Sequence, residues 1–173
     1  PTLIAVEQDP SSDGLDLAKS YSKAIGGTRV CAFISTFKEE TETDIFGEQA
    51  ILTGGLPYLI NNTYNTLIDS GYDSTVAWFV CYYEVKTIVD LFYNKGFEEF
   101  YSLISDTARY GGISRGKKLI DDKFDLKLVS MLEDIKSGKF NKELSNYIDD
   151  GKSPKSFKKL EDKTKEMLNL IKE

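Results

Sequence analysis

At 173 residues, with 40% hydrophobic and 29% charged side chains, the chain has the size and composition of one globular domain with its own core. A formal charge of -6 argues against a nucleic-acid partner, no apolar run reaches the roughly 20 residues of a spanning helix, and no signal peptide opens the chain, so the expected address is cytoplasmic, with no membrane partner. Histidine is absent, which removes imidazole as base, zinc ligand or triad member and leaves chemistry to carboxylates, lysine, hydroxyls or a hard metal.

In chain order, Leu3, Ile4, Ala5 and Val6 read as a buried strand that Asp9-Pro10 ends. Leu15, Leu17, Ala18, Tyr21 and Ile25 then fall at helical spacing behind Ser and Asp caps, with Gly26-Gly27 as a stop. TRVCAFISTF reads as a brief extended or irregular connection. It holds Cys31, which like Cys81 sits among apolar neighbours without CxxC spacing, as a small core residue in a reducing compartment would. From about Thr43 a helical pattern runs through Leu52, Leu56, Leu59, Ile60, Leu67 and Ile68 to Gly71, with a break at Gly54-Gly55-Leu56-Pro57. The next helix covers DSTVAWFVCYYEVKTIVDLFYNKG, capped by Asp73 or Ser74 and stopped by Gly96. Another spans about Phe97 to Tyr110, ending at Gly111-Gly112. Shorter amphipathic helices cover about Asp122 to Ser137, Asn141 to Asp149 and Leu160 to Lys172. Lys152, Lys155, Lys158 and Lys159 are followed by Glu161, Asp162, Glu166 and Glu173, the pattern of a solvated helix face. No segment after residue 37 alternates long enough to be a strand, so the expected fold is all-α with a short N-terminal strand.

Two carboxylates break the apolar pattern. In TFKEETETDIFGEQAIL, residues 36–52, the acidic run suits a helix first turn, and Thr41-x-x-Asp44 fits a capping box. Glu48 lies a full turn further in, beside Asp44, Ile45, Ile51 and Leu52. Glu84 lies about 200° around its helix from the solvated Lys86, at 100° per residue, with Val80, Cys81, Thr87 and Ile88 as neighbours. Both glutamates thus read as carboxylates on a core face, which require a cation, a proton or a metal. An ion pair with Lys117, Lys118 or Arg109 would satisfy that. So would a magnesium site of Asp44, Glu48 and Glu84, since magnesium takes a few carboxylates and keeps waters.

Taken together, GTRV, the acidic run, YEVKTIVDLFYNKG and ISDTARYGG resemble the C-terminal helical domain of class I ketol-acid reductoisomerase (acetohydroxyacid isomeroreductase). The likeness runs in order from IAVEQDPS to SGKF and the lysine-rich final helix. It implies a knotted multi-helix domain and a role in branched-chain amino-acid biosynthesis. The implied reaction is a magnesium-dependent alkyl shift in 2-acetolactate or 2-aceto-2-hydroxybutyrate, followed by NADPH reduction to the 2,3-dihydroxy acid. By resemblance, Asp44 bridges two metal ions, Glu48 binds one of them, Glu84 serves the second, and Ser105 hydrogen-bonds the substrate carboxylate. Glu84 and Ser105 act on the partner subunit's site, so a homodimer through the helices that carry them is implied.

The chain departs from that pattern at Val80, where the family has a further glutamate, and at Arg109, where it commonly has glutamate. The first departure leaves open a degenerate paralogue that serves as a structural dimerisation module. The resemblance also makes residues 1–8 the last strand of a dinucleotide-binding (Rossmann) domain and residues 9–173 the helical metal-binding domain. The sequence lacks an initiator Met and a G-x-G-x-x-G segment. A fragment or separated domain, inactive alone, is therefore expected.

For the other singled-out residues, simpler roles are read. Without the resemblance, Ser105 reads as a helix-turn hydroxyl bonding a nearby backbone carbonyl. Trp78, Phe79, Tyr82, Tyr83, Phe92 and Tyr93 read as core and interface aromatics.

Overall fold

A computed structural model describes residues 1–148 and 151–172. The N-terminal strand β1 (Thr2–Ile4) has a partner: it pairs in parallel with β2 (Ala32–Ile34), Thr2 opposite Ala32 and Ile4 opposite Ile34. Parallel strands require a crossover, and helix α1 (Gly14–Ala24) with a 3-10 turn at Gly27–Arg29 supplies it. A Cβ on Gly27 would fall 2.2 Å from the Thr2 hydroxyl and 2.8 Å from that of Ser22, so the crossover closes over a residue without one. The connection expected around Cys31 thus contains the second strand.

Helix α2 (Phe37–Gly47) starts earlier than the expected Thr43. Thr36 is its cap, accepting from the Glu39 amide at 3.0 Å while the Ser35 hydroxyl donates to the Glu39 carboxylate at 3.1 Å. The box Thr41-x-x-Asp44 is therefore not the start. Two tetrads match the same Thr-x-x-acid pattern, and Thr43 inside the helix returns its hydroxyl to the Glu39 carbonyl at 2.8 Å. A π-helical turn, Glu48–Leu52, follows before helix α3 (Gly55–Asp69). Asp73 caps the next helix, accepting from the amides of Thr75 and Val76. Here α4 (Ser74–Trp78) runs into a second π turn, Phe79–Tyr83, and then α5 (Glu84–Leu103).

Gly96 adopts φ 73° and kinks α5 where a stop is expected. The expected end at Gly111-Gly112 is corrected, because the chain breaks instead at Ile104 and Ser105. Helix α6 (Asp106–Leu119) then runs through Gly111, Gly112 and Gly116. Each helical glycine costs about 1 kcal/mol relative to alanine, a penalty that permits a stop without imposing one. Helices α7 (Asp122–Lys136), α8 (Lys139–Ser145) and α9 (Lys158–Lys172) follow close to expectation. Asp149, the expected end of α8, lies outside the described residues, as does Glu173.

The core lies where α3, α4 and α9 meet: Tyr64, Ala77, Trp78, Cys81 and Leu160 are buried, with Ile60, Leu67, Ile68 and Met167 packed around them. The Trp78 indole N–H donates to the Thr164 hydroxyl at 3.0 Å, and that hydroxyl donates to the Leu160 carbonyl at 2.8 Å, so these two polar groups are paired. Lys159 bonds Asp69 at 3.0 Å and ties α9 to the end of α3. Lys158–Asp162 and Lys165–Glu161 pairs line the outer face of α9, as the charge pattern implied. Cys31 and Cys81 are both free thiols.

Helix α2 packs against α7, whereas α5 and α6 have no extensive packing partner among the described residues. The accessible surface is 13438 Å², more than half as much again as the about 8,500 Å² of a compact monomer of this mass. No helix among the described residues is long and apolar enough to cross a membrane.

Candidate functional site

Asp44 and Glu48 lie one turn apart on the same helical face. The Glu48 amide still donates to the Asp44 carbonyl, so helical geometry holds between them, and the π turn begins at Glu48 itself. Glu84 occupies the mirrored situation, directly after the π turn Phe79–Tyr83. In a π turn the amide bonds the carbonyl five places back rather than four, which changes the rotation per residue. A helical wheel drawn at 100° per residue therefore misplaces the side chains beyond it.

The expectation that the two glutamates are buried is corrected, for Glu84 in part because a π turn precedes it. Asp44, Glu48 and Glu84 are all exposed, and so are many apolar neighbours: Ile51 is 57% exposed, Leu52 62%, Val80 46% and Ile88 41%. The carboxylates sit beside apolar side chains that stay largely exposed among the described residues. Apolar spacing marks a face that avoids water, and it reads the same whether the cover is this chain or another.

None of the three carboxylates forms an ion pair among the described residues. The cations considered as partners are elsewhere: Arg109 pairs with Asp106, while Lys117 and Lys118 lie in the last turn of α6. Lys86 pairs with Asp90 on the solvated face, as the four-residue spacing implied. Nor does one copy of the chain assemble the three. Among the described residues no group of three or more acidic or thiol side chains is placed to hold a metal ion. The chain brings Asp44 and Glu48 together and leaves Glu84 apart from them.

Two unpaired oxygen donors on one helical turn, open to water, fit a hard divalent cation that retains part of its hydration shell. Two carboxylates do not fill such a cation's coordination shell, so a complete site would need further oxygen ligands.

Ser105 is the N-cap of α6, its hydroxyl oxygen accepting from the Ala108 amide at 3.2 Å. This corrects the expectation of a bond to a nearby backbone carbonyl: the hydroxyl caps the helix by accepting from an amide. The cap uses the oxygen's lone pair and leaves its O–H available to an acceptor beyond the helix. Of the six aromatics singled out in the sequence, Trp78 is buried and stacks with Tyr82 at 5.7 Å between centroids, while Phe79, Tyr83 and Tyr93 are exposed.

Sequence reasoning missed what places Glu48. Its carbonyl accepts from the Thr53 amide at 2.9 Å, the Gly54 amide at 3.0 Å and the Thr53 hydroxyl at 3.0 Å. A Cβ on Gly54 would lie 2.1 Å from the Gln49 carbonyl oxygen, and one on Gly55 equally close to that of Ala50. The Thr-Gly-Gly run was the available signal: it reads as a break, yet it is the composition that closes a π turn.

The family described as "Ketol-acid reductoisomerase, C-terminal domain" matches residues 37–170, and "Acetohydroxy acid isomeroreductase, NADPH-binding domain" matches residues 1–31. A relative from Clostridioides difficile (strain 630), "Ketol-acid reductoisomerase (NADP(+))", is 48% identical over 139 residues, covering 80% of this chain and 42% of the relative. Among solved structures, the NADH-preferring ketol-acid reductoisomerase from an uncultured archean superposes with a TM-score of 0.78. The two are 36% identical, and the match covers 82% of this chain and 43% of that one. The chain thus spans about two-fifths of the length of these relatives.

Proposed function

The chain belongs to the ketol-acid reductoisomerase family, and we propose that it is the metal-binding and dimer-forming part of an enzyme that isomerises and reduces 2-acetolactate or 2-aceto-2-hydroxybutyrate in branched-chain amino-acid biosynthesis. In this reading residues 1–8 belong to the NADPH-binding domain, residues 9–173 form the helical domain, the enzyme is cytoplasmic, and the helical domain alone is inactive. The observation that carries it is the pair Asp44 and Glu48, exposed one helical turn apart and without an ion-pair partner among the described residues, beside the exposed Ile51 and Leu52.

Asp44 and Glu48 hold magnesium from one copy, and Glu84 reaches the site from a second copy. Magnesium bound there supplies Lewis-acid polarisation of the substrate's carbonyl and hydroxyl oxygens. Ser105 donates its free O–H to the substrate carboxylate, and the positive end of α6, a 14-residue helix, adds to the attraction. The homodimer interface runs along α5 and α6, the helices without an extensive packing partner among the described residues. Covering that face removes apolar surface from water at about 25 cal/mol per Å².

The test uses the chain joined to an NADPH-binding domain. Substrate-dependent NADPH consumption requiring magnesium is expected, together with a dimer in sedimentation and loss of both magnesium binding and turnover in Asp44→Ala. Magnesium affinity unchanged in Asp44→Ala would refute the site.

Val80 favours a second reading, a paralogue kept as a dimerisation module. An exposed valine in the π turn before Glu84 offers no ligand oxygen. Turnover that appears only in Val80→Glu supports this reading, and turnover already present with valine defeats it.

A further inference from the structure

We infer that each metal site binds one divalent ion before substrate arrives, not two, because valine at position 80 leaves the site one carboxylate short. The inference rests on the proposed reading of Asp44, Glu48 and Glu84 as ligands and adds how many ions they hold.

The carboxylates free to serve an ion can be counted along each helix. In the acidic run of α2, Glu39 accepts from the Ser35 hydroxyl at 3.1 Å. Glu40 lines a groove with Leu3, Ile4 and Tyr21, and Glu42 lines another with Leu132 and Lys136 of α7. Each of these three faces other residues of this chain, which leaves Asp44 and Glu48. On α5, Glu84 follows the π turn, and its amide donates to the carbonyls of Phe79 and Tyr82. The residues about one turn to either side of it are Phe79, Val80, Thr87 and Ile88, none with a charged oxygen. The next acid on that helix, Asp90, pairs with Lys86. Val80 is 46% exposed, so a carboxylate at its position would stay hydrated, and burial does not exclude one.

Charge then decides the stoichiometry. A site built from Asp44 and Glu48 of one copy and Glu84 of another carries three negative charges, and one divalent ion cancels two of them. A second ion, about 3.5–4 Å from the first in a two-metal site, would meet a single residual charge and the repulsion of a doubly charged neighbour. It would also have to share ligands, whereas one magnesium keeps all three carboxylates and completes its octahedron with water. A fourth carboxylate would supply both a donor and a charge; a valine supplies neither.

The experiment counts ions in the dimeric full-length protein without substrate. Calorimetric titration with magnesium alone gives the number bound per chain. Manganese in its place gives an electron paramagnetic resonance spectrum in which two ions about 4 Å apart couple and a single ion does not. One ion per chain and an uncoupled spectrum are expected for the natural protein. Two ions per chain and a coupled spectrum are expected for Val80→Glu, and loss of binding for Asp44→Ala.

Two coupled ions per chain in the natural protein overturn the inference and leave the metal reading standing, a result that requires no substitution to fold. A single ion in Val80→Glu overturns it too, since position 80 would then not set the count. Binding unchanged in Asp44→Ala, or no binding in the natural protein, removes the metal reading itself and this inference with it.

Discussion

Replacing Gly54 by alanine tests the π turn directly. The backbone at Gly54 has φ -96° and ψ -77°, a region open to side chains, so the penalty comes from contact and not from backbone strain. The added Cβ would stand 2.1 Å from the Gln49 carbonyl oxygen and 3.0 Å from its carbonyl carbon. Carbon and oxygen need about 3 Å or more, so one partner must move by about 1 Å. Neither is a flexible side-chain end: both belong to the backbone of the turn. The movement takes with it the Gly54 amide bond to Glu48 and stretches that of Thr53. One to two hydrogen bonds at about 1 kcal/mol each, with about 1–2 kcal/mol of residual overlap, give a loss of about 3 kcal/mol. For a chain of this length that lowers the thermal midpoint by about 6–12 °C.

Gly47 provides the matched control, being helical with nothing within 4 Å of a Cβ. Gly47→Ala is expected to raise stability by about 0.5–1 kcal/mol. Thermal denaturation followed by circular dichroism reads both. A Gly54→Ala midpoint at or above that of the parent would refute the argument that the carbonyl at position 49 requires glycine at 54.

Three other outcomes are expected. Thr164→Val leaves the buried Trp78 indole N–H without its acceptor and should cost about 1–3 kcal/mol in urea unfolding; a midpoint equal to that of the parent would mean the bond contributes nothing. Burial pushes the Cys81 thiol above its ordinary pKa, while Cys31 is half-exposed. Iodoacetamide should therefore label Cys31 first under native conditions, and equal rates by mass spectrometry would contradict the packing of Cys81. Hydrogen bonds from Lys165 and Ser153 hold the Glu161 carboxyl below its ordinary pKa. A depressed folded-state pKa contributes stability above the unfolded value and loses it as pH falls through the folded one. The acid limb of a midpoint-against-pH curve should then flatten in Glu161→Gln, and an unchanged limb would discount the pair.

Much of the architecture follows from local chemistry. Apolar spacing from Leu56 to Ile68, the Asp73 cap and the start of α7 depend on neighbours three or four residues away, so a linear reading recovers them. The start of α2 was misplaced because Thr36-x-x-Glu39 and Thr41-x-x-Asp44 carry the same signal, and only the backbone path decides which is used. The end of α6 was misplaced because two adjacent glycines are permissive of a stop without requiring one.

What the sequence by itself determined is the set of chemical actors: no imidazole, two carboxylates one turn apart, a third on another helix, and residue runs specific enough to carry a family resemblance. Tertiary structure alone decided where those carboxylates stand. The π turns at Glu48 and before Glu84 arise from bonds spanning five residues, which no 3.6-residue periodicity encodes. Exposure of the face around Glu84 depends on which helices pack together, a non-local outcome that apolar spacing cannot express, since the same pattern suits a core or an interface awaiting its partner.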